Sequence, residues 1–377
     1  MATDQHPRSF HDVGVTSSSP EELSEAERRW VSFQPYLLSK GYQLRPRYRP
    51  GWQPSWKVTN ANPYDCEDSG NALPLRTLDA TRLKDDLQVM IKMVVPSLDD
   101  REGEEEVAIL QGLSSDKNLR NPMNHTVECL DSFPVPGTER GQFCIMPLLR
   151  GYNDPPFYNL IELQDFLAQI FEGLQFLHKR GIAHRDIASP NIMMNGRLLY
   201  DQPFHPVNQD FSIDGKTEIY PRYHRSQRSI RYFYIDFGYA KWFRNPNETR
   251  LVQGTRARER TPEQLSGQPY DPFRADIYQL GAILRRDLIP NYPSLGFLLA
   301  LAREMTDHAP NKRPSLPAAM SVMSDQFAGL SGWRMRWPIL PRNASFGERC
   351  TSVAIGVKAE IRFLLGKILE LLLTRRS

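Results

Sequence analysis

Gly181-Ile182-Ala183-His184-Arg185-Asp186-Ile187-Ala188-Ser189-Pro190-Asn191 is the stretch on which the reading of this chain turns. A carboxylate stands five positions before a carboxamide, on what reads as one tight loop. That pair suits phosphoryl transfer. The Asp can accept a proton from an incoming hydroxyl, and the Asn oxygen can hold Mg²⁺ beside phosphate groups. Further on comes Ile235-Asp236-Phe237-Gly238, behind an apolar approach from Tyr232 that reads as a buried strand. It supplies a second carboxylate, and two oxygen ligands with phosphate oxygens complete a hard-cation shell. Then follow Thr261-Pro262-Glu263, Asp276-x-Tyr278-x-x-Gly281 and Lys312-Arg313-Pro314.

The chain has 377 residues, 40% hydrophobic and 24% charged, enough to bury a sizeable core. With 47 Lys and Arg against 44 Asp and Glu the net charge is +3, too balanced to argue for nucleic acid or an anionic membrane as the main partner. Cys66, Cys129, Cys144 and Cys350 lie far apart, which argues against a disulfide framework or a zinc site. The first twenty residues lack an apolar core for a secretory signal, and no apolar run is long enough for a spanning helix. A cytoplasmic chain is expected, a nuclear one being the secondary alternative.

Residues 1–20 read as a polar, disordered tail. A helix is expected from Ser19 or Pro20 through Ser39. Gly41 to Trp56, rich in Pro, Arg and aromatics, reads as an extended segment whose tryptophans pack on a neighbour. Leu78 onward reads as strand, polar turn, strand, and the acidic run 101–113 as a solvated helix. Gly141 to Leu149 reads as another strand. From Leu163 to Leu177 apolar residues recur at helical spacing until Gly181, and further helices are expected near 275–286, 293–307 and 314–328. The tail from Lys358 to Leu373 places Ile361, Leu364, Leu365, Ile368, Leu369 and Leu372 on one stripe. Packing on its own domain is the plain reading, with a partner or a membrane surface as the alternatives.

The ordered motifs resemble those of the eukaryotic protein kinase superfamily, over roughly residues 75 to 328. The resemblance implies an α+β, bilobal protein-kinase-like fold with a small β-rich amino-terminal lobe and a larger helical carboxy-terminal lobe. It divides the chain into the tail 1–20, an extension 21–74 packing on the core, an N-lobe 75–149, a C-lobe 150–328 with an insert near 199–228, and a final extension 329–377 ending in the amphipathic helix. The implied cofactors are ATP and Mg²⁺. Asp186 becomes the catalytic base, and Asn191 and Asp236 the magnesium ligands. Lys92, in Val89-Met90-Ile91-Lys92, holds the α- and β-phosphates, and Glu106 pairs with it. Met146 stands as gatekeeper, the backbone of Pro147 and Leu149 meets adenine, and Met193 lies under its ring. His184, Phe237 and Leu110 join a hydrophobic spine. Glu263 and Arg313 form a bracing ion pair, and Asp276 anchors the loop. A closer likeness, carried by Gly41-Tyr-Gln-Leu-Arg-Pro-Arg-Tyr48 and Leu78-Asp-Ala-Thr-Arg82, is to divergent kinase-like proteins of mushroom-forming fungi.

The implied activity is transfer of the ATP γ-phosphate to a protein hydroxyl, Ser/Thr favoured over Tyr. Two departures support a different reading, a pseudokinase scaffold or switch. Between Trp52 and Lys92 the only glycine is Gly70, so the glycine-rich phosphate loop is missing. Ala188 also stands where Ser/Thr kinases carry a lysine. A small-molecule kinase of the choline or aminoglycoside type shares the Asp-x4-Asn loop, but those families generally lack the Thr-Pro-Glu and Arg-Pro elements present here. The insert near 199–228 is expected to be a solvated loop, with docking of a substrate by its basic residues as the alternative. Arg185 with the basic residues between Lys241 and Arg260 is expected either to line a solvated face or to bind a phosphate on Thr249 or Thr255.

Overall fold

A computed structural model describes residues 19–69, 75–97, 102–245, 247–340, 342 and 344–374. The expected tail therefore lies almost wholly outside the described residues, as do Gly70 and the last three residues. The fold is α+β and protein-kinase-like, with strands concentrated in the amino-terminal half and helices in the other. The chain folds into two compact units, one of residues 1–92 with 203–219, the other of 93–202 with 220–377.

The first unit begins with α1 (Glu25–Ser39). It starts later than expected because Ser24 caps it: the Ser24 hydroxyl accepts from Glu27 N at 3.2 Å and the Glu27 carboxylate accepts from Ser24 N at 2.7 Å. Then follow β1 (Tyr42–Gln43), α2 (Ser55–Thr59), β2 (Thr77–Arg82) and β3 (Leu87–Val94). β1 pairs antiparallel with β2, and β2 with β3, Thr77 lying opposite Lys92. The connection from β1 to β2 is not simply extended. Pro46–Tyr48 form a 3₁₀ turn, and Pro54 stands just before α2, where an N–H would have no partner within the helix. Arg47 is fully buried and donates to Glu27 Oε1 at 2.6 Å and to the carbonyls of Pro20, Asp68 and Glu22.

Most of the insert is exposed, as expected of a solvated loop, but part of it packs. Phe204, His205 and Ile219 are buried, and Gln88 Nε2 donates to Phe204 O at 3.0 Å. Arg45 bridges Asp79 at 2.8 Å and Glu67 at 2.7 Å, and His205 Nε2 lies 3.3 Å from the same Glu67 carboxylate. Charged groups with these partners can be buried, and composition alone does not reveal them.

The second unit opens with α3 (Glu106–Leu113) and α4 (Asp116–Leu119). The acidic run before Glu106 is not helical, and Glu106 is buried rather than solvated. β4 (Asp131–Pro134) pairs with β5 (Gln142–Pro147), and β6 (Arg150–Gly151) leads to α5 (Leu160–Lys179), capped by Asn159. The apolar face of α5 is buried throughout, as its spacing predicts. After β7 (Ile182–Ala183), β8 (Ile192–Met194) pairs with β6 and with β9 (Tyr232–Tyr234), and β10 (Lys241–Trp242) pairs with β7. Short α6 (Pro262–Leu265) precedes α7 (Pro272–Ala282), which runs into a π-helical turn at Ile283–Leu288 and the single turn α8 (Ile289–Asn291). α9 (Leu299–Met305), α10 (Leu316–Ala328), α11 (Gly332–Arg336) and α12 (Phe346–Thr374) complete the unit.

Candidate active site

Gly181 sets the start of the loop. Its φ of 73° is left-handed, and a Cβ there would lie 2.4 Å from Phe243 O. The glycine thus lets β7 and β10 approach, with Phe243 N donating to Gly181 O at 2.8 Å. From there α7 holds the loop by its backbone. The buried Asp276 carboxylate accepts from His184 N at 2.9 Å and Arg185 N at 2.7 Å, and His178 Nε2 lies 2.9 Å from it. One turn along, Gln279 accepts from Ile187 N at 2.9 Å and donates to Arg185 O at 3.0 Å and Glu259 O at 2.9 Å. Gln279 was not singled out from sequence. Its spacing of three from Asp276 on a helix is the signal that places both on one face.

His184 is structural: Nε2 lies 3.0 Å from Ile235 O and its ring 4.9 Å from that of Phe237. Asp186 and Asn191 come together as their spacing suggests. Asn191 Nδ2 donates to both Asp186 Oδ2 and Asp186 O at 2.8 Å, so its side-chain oxygen is the atom left to serve a cation. Asp186 is buried, and burial pushes its carboxyl above the ordinary range, with the charge of Asp236 adding in the same direction. Arg258 works against that shift, its N–H donating to Asp186 Oδ1 at 2.6 Å and its Nε lying 3.8 Å from Oδ2. This contact was not read from sequence, because Arg258 lies 72 positions away with no motif attached.

Asp236 has a left-handed φ of 62°, and Gly238 follows it in tight quarters. A Cβ on Gly238 would lie 3.3 Å from Asp236 Oδ1 and 3.7 Å from Glu106 Oε2. Two carboxylates therefore face the same glycine, the second of them from α3. The side-chain oxygens of Asn191 and Asp236 suit Mg²⁺ and would hold it, and the ion would supply positive charge to offset that of phosphate. Met146 and Leu149 are buried at the end of β5 and just beyond it, with Pro147 between them, and Met193 sits on β8 opposite Phe233 and Gly151. Lys92 belongs to the first unit, on β3.

The bracing ion pair is bidentate: Arg313 Nη1 and Nη2 meet Glu263 Oε1 and Oε2 at 2.6 and 2.7 Å. At the far end of the loop the Ser189 hydroxyl donates to Asp287 and lies 3.0 Å from Tyr152 OH. Arg185 has φ 67° and donates to Tyr239 O at 3.0 Å and Gln253 O at 2.8 Å. Part of its donor capacity is thus already used on backbone carbonyls. Exposed Thr255 lines a cavity of about 720 Å³ beside Arg185, Lys241 and Arg256.

Residues 142–295 match the family model of the protein kinase domain. The dual specificity protein kinase zakA of Dictyostelium discoideum is 26% identical over 152 residues, 40% of this chain and 16% of that protein. Fatty acyl-CoA synthetase and RNA processing-associated kinase 1 of Saccharomyces cerevisiae is 21% identical over 278 residues, 73% of this chain and 26% of that protein. The serine/threonine-protein kinase chk1 of Schizosaccharomyces pombe is 25% identical over 130 residues, 34% of this chain and 20% of that protein. The chain thus spans about a quarter or less of each of these relatives. Together the matches support the protein kinase superfamily, and kinase chemistry at the level of that family.

Proposed function

We propose that the chain is a protein kinase that uses ATP and Mg²⁺ to phosphorylate a protein hydroxyl in the cytoplasm, Ser/Thr in preference to Tyr. The observation that carries the reading is the pairing of Asp186 with Asn191 on a loop fixed by Asp276 and Gln279. A loop held by its backbone keeps the acid in place through turnover, which is what positioning catalysis needs.

In this reading Asp186 orients the substrate hydroxyl and accepts its proton as the new P–O bond forms and the bond from the γ-phosphorus to the departing ADP oxygen breaks. Lys92 holds the α- and β-phosphates, with Glu106 as its partner. Met146, the backbone of Pro147 and Leu149, and Met193 bound the adenine position. Mg²⁺, when bound through Asn191 and Asp236, offsets phosphate charge. Burial raises the Asp186 pKa, which makes its carboxylate a better proton acceptor. The likeness to fungal kinase-like proteins belongs to the same proposal. So does a phosphate on Thr255 beside Arg256 and Lys241.

A second reading, a scaffold or switch without turnover, is favoured by the β1 to β2 connection. Among the described residues it is built on buried Arg47 and Trp56, and its sequence carries no glycine run that would let backbone N–H groups come close to phosphate. Transfer of labelled γ-phosphate from Mg·ATP, wild type against Asp186→Asn, separates the two. Label in the wild type alone supports the kinase. Stabilisation by Mg·ATP with no label in either supports the switch.

A further inference from the structure

α12 runs from Phe346 to Thr374 and is seated along only part of its surface. Gly356 lets the Trp337 indole approach closely, since a Cβ there would lie 2.8 Å from the ring. Ser352 is buried, and Glu360 accepts from Arg336 Nε at 3.0 Å. The rest of the helix shows an uncovered apolar stripe. Val353, Val357, Ile361, Leu364, Ile368 and Leu372 step by four, four, three, four and four, and each is between 45% and 56% exposed. The expectation that this face packs on its own domain is therefore not met at these positions.

The charge around the stripe is lopsided. Residues 329–377 hold nine of the 47 Lys and Arg but three of the 44 Asp and Glu, so this segment is +6 while the remainder is −3. Exposed Lys358 and Arg362 sit on α12 next to the stripe. At its foot, Val353 enters the wall of a cavity of about 600 Å³ that has apolar sides from Trp333, Trp337 and Ile339. Exposed Arg334, Arg342 and Arg349 line the same cavity. On that wall the Ser294 hydroxyl has no hydrogen-bond partner among the described residues. Phe346, at the start of the helix, is 83% exposed.

We propose that this extension docks the protein on an anionic phospholipid bilayer, with the α12 stripe in the acyl boundary and the three arginines on lipid phosphates. An apolar helical face bordered by cations, with aromatics at its base, matches the layered chemistry of a bilayer surface. No described helix is long and apolar enough to cross a membrane, so α12 lies on the surface and does not span it. The local +6 favours anionic headgroups over an apolar protein groove, which would ask only for the stripe. The docking is independent of phosphoryl transfer.

Sedimentation of the full chain with phosphatidylcholine vesicles, with and without about a third phosphatidylserine, tests it. Binding is expected only with phosphatidylserine and should weaken as salt rises. Leu364→Glu with Ile368→Glu should reduce it about tenfold or more. Arg334→Gln with Arg342→Gln and Arg349→Gln should also reduce it about tenfold or more, since each cation near such a surface is worth roughly fivefold. These side chains are exposed, so both variants should melt with the wild type. Equal binding to both vesicle types, no binding, or full binding by the Glu variant would overturn the proposal. So would a dimer in sedimentation velocity that Leu364→Glu dissolves, which would make a second copy the occupant.

Discussion

The loop around Asp186 and the connection from β1 to β2 are both built from buried polar groups, yet only the first could be read from its letters. In the loop, two side chains of one helix, Asp276 and Gln279, hold the backbone N–H groups of His184, Arg185 and Ile187, so a short motif has a fixed mechanical meaning. In the connection, Arg47 gathers carbonyls and a carboxylate from dispersed positions, and Asp68 accepts from Trp52 Nε1 at 2.8 Å and Ser55 Oγ at 2.6 Å. Chemistry that must act on a substrate recurs with its spacing. Packing that only has to close a gap gives no comparable mechanical reading.

The sharpest way to break the comparison is in the loop. Asp186→Asn should lower γ-phosphate transfer by about a thousandfold, with a melting temperature within about 3 °C of wild type. Loss of folding together with activity would mean the acid is structural. In the connection, Arg47→Met should cost about 4 kcal/mol by leaving the Glu27 carboxylate buried without its cation, read as a lower urea midpoint. A neutral result would show that the network is dispensable. Gly181→Ala should cost about 3 kcal/mol, because the methyl meets Phe243 O and the backbone is left-handed. Unchanged stability would mean β7 and β10 can separate freely.

The smallest effect concerns pH. Burial pushes the His125 imidazole down to about 4, so it is neutral when folded, with Nδ1 3.1 Å from Tyr232 O. A depressed pKa gives stability that is full above the unfolded value of about 6.5 and is lost as pH falls toward 4. Wild type should therefore lose about 2 kcal/mol across that window beyond what His125→Gln loses. Parallel curves for the two proteins would show that His125 is solvated.

The pattern of long apolar spacing made α5 readable, and β2 with β3 was readable from β-branched residues around a polar turn. The start of α1 was missed because a capping box at Ser24 outweighs the helix-permissive residues before it. Most of the insert is exposed as its sequence suggests, but the burial of Phe204 and His205 within it depends on Gln88 and Glu67, which are remote in sequence. Arg258 was invisible for a different reason. Its backbone N–H, common to almost every residue type, makes the shorter of its two contacts with Asp186.

The π-helical turn at Ile283–Leu288 has a consequence for insertions and deletions. Such a turn winds one more residue into the helix than the α form would hold. Asp287 lies inside it and faces Ser189. Since each residue rotates a helix by about 100°, removing one residue from the turn would restore α geometry and swing that carboxylate away from the loop. The extra residue acts as a phase adjustment, setting which side of the helix the loop meets. Chains of this kind should tolerate substitution across the turn far better than a change in its length.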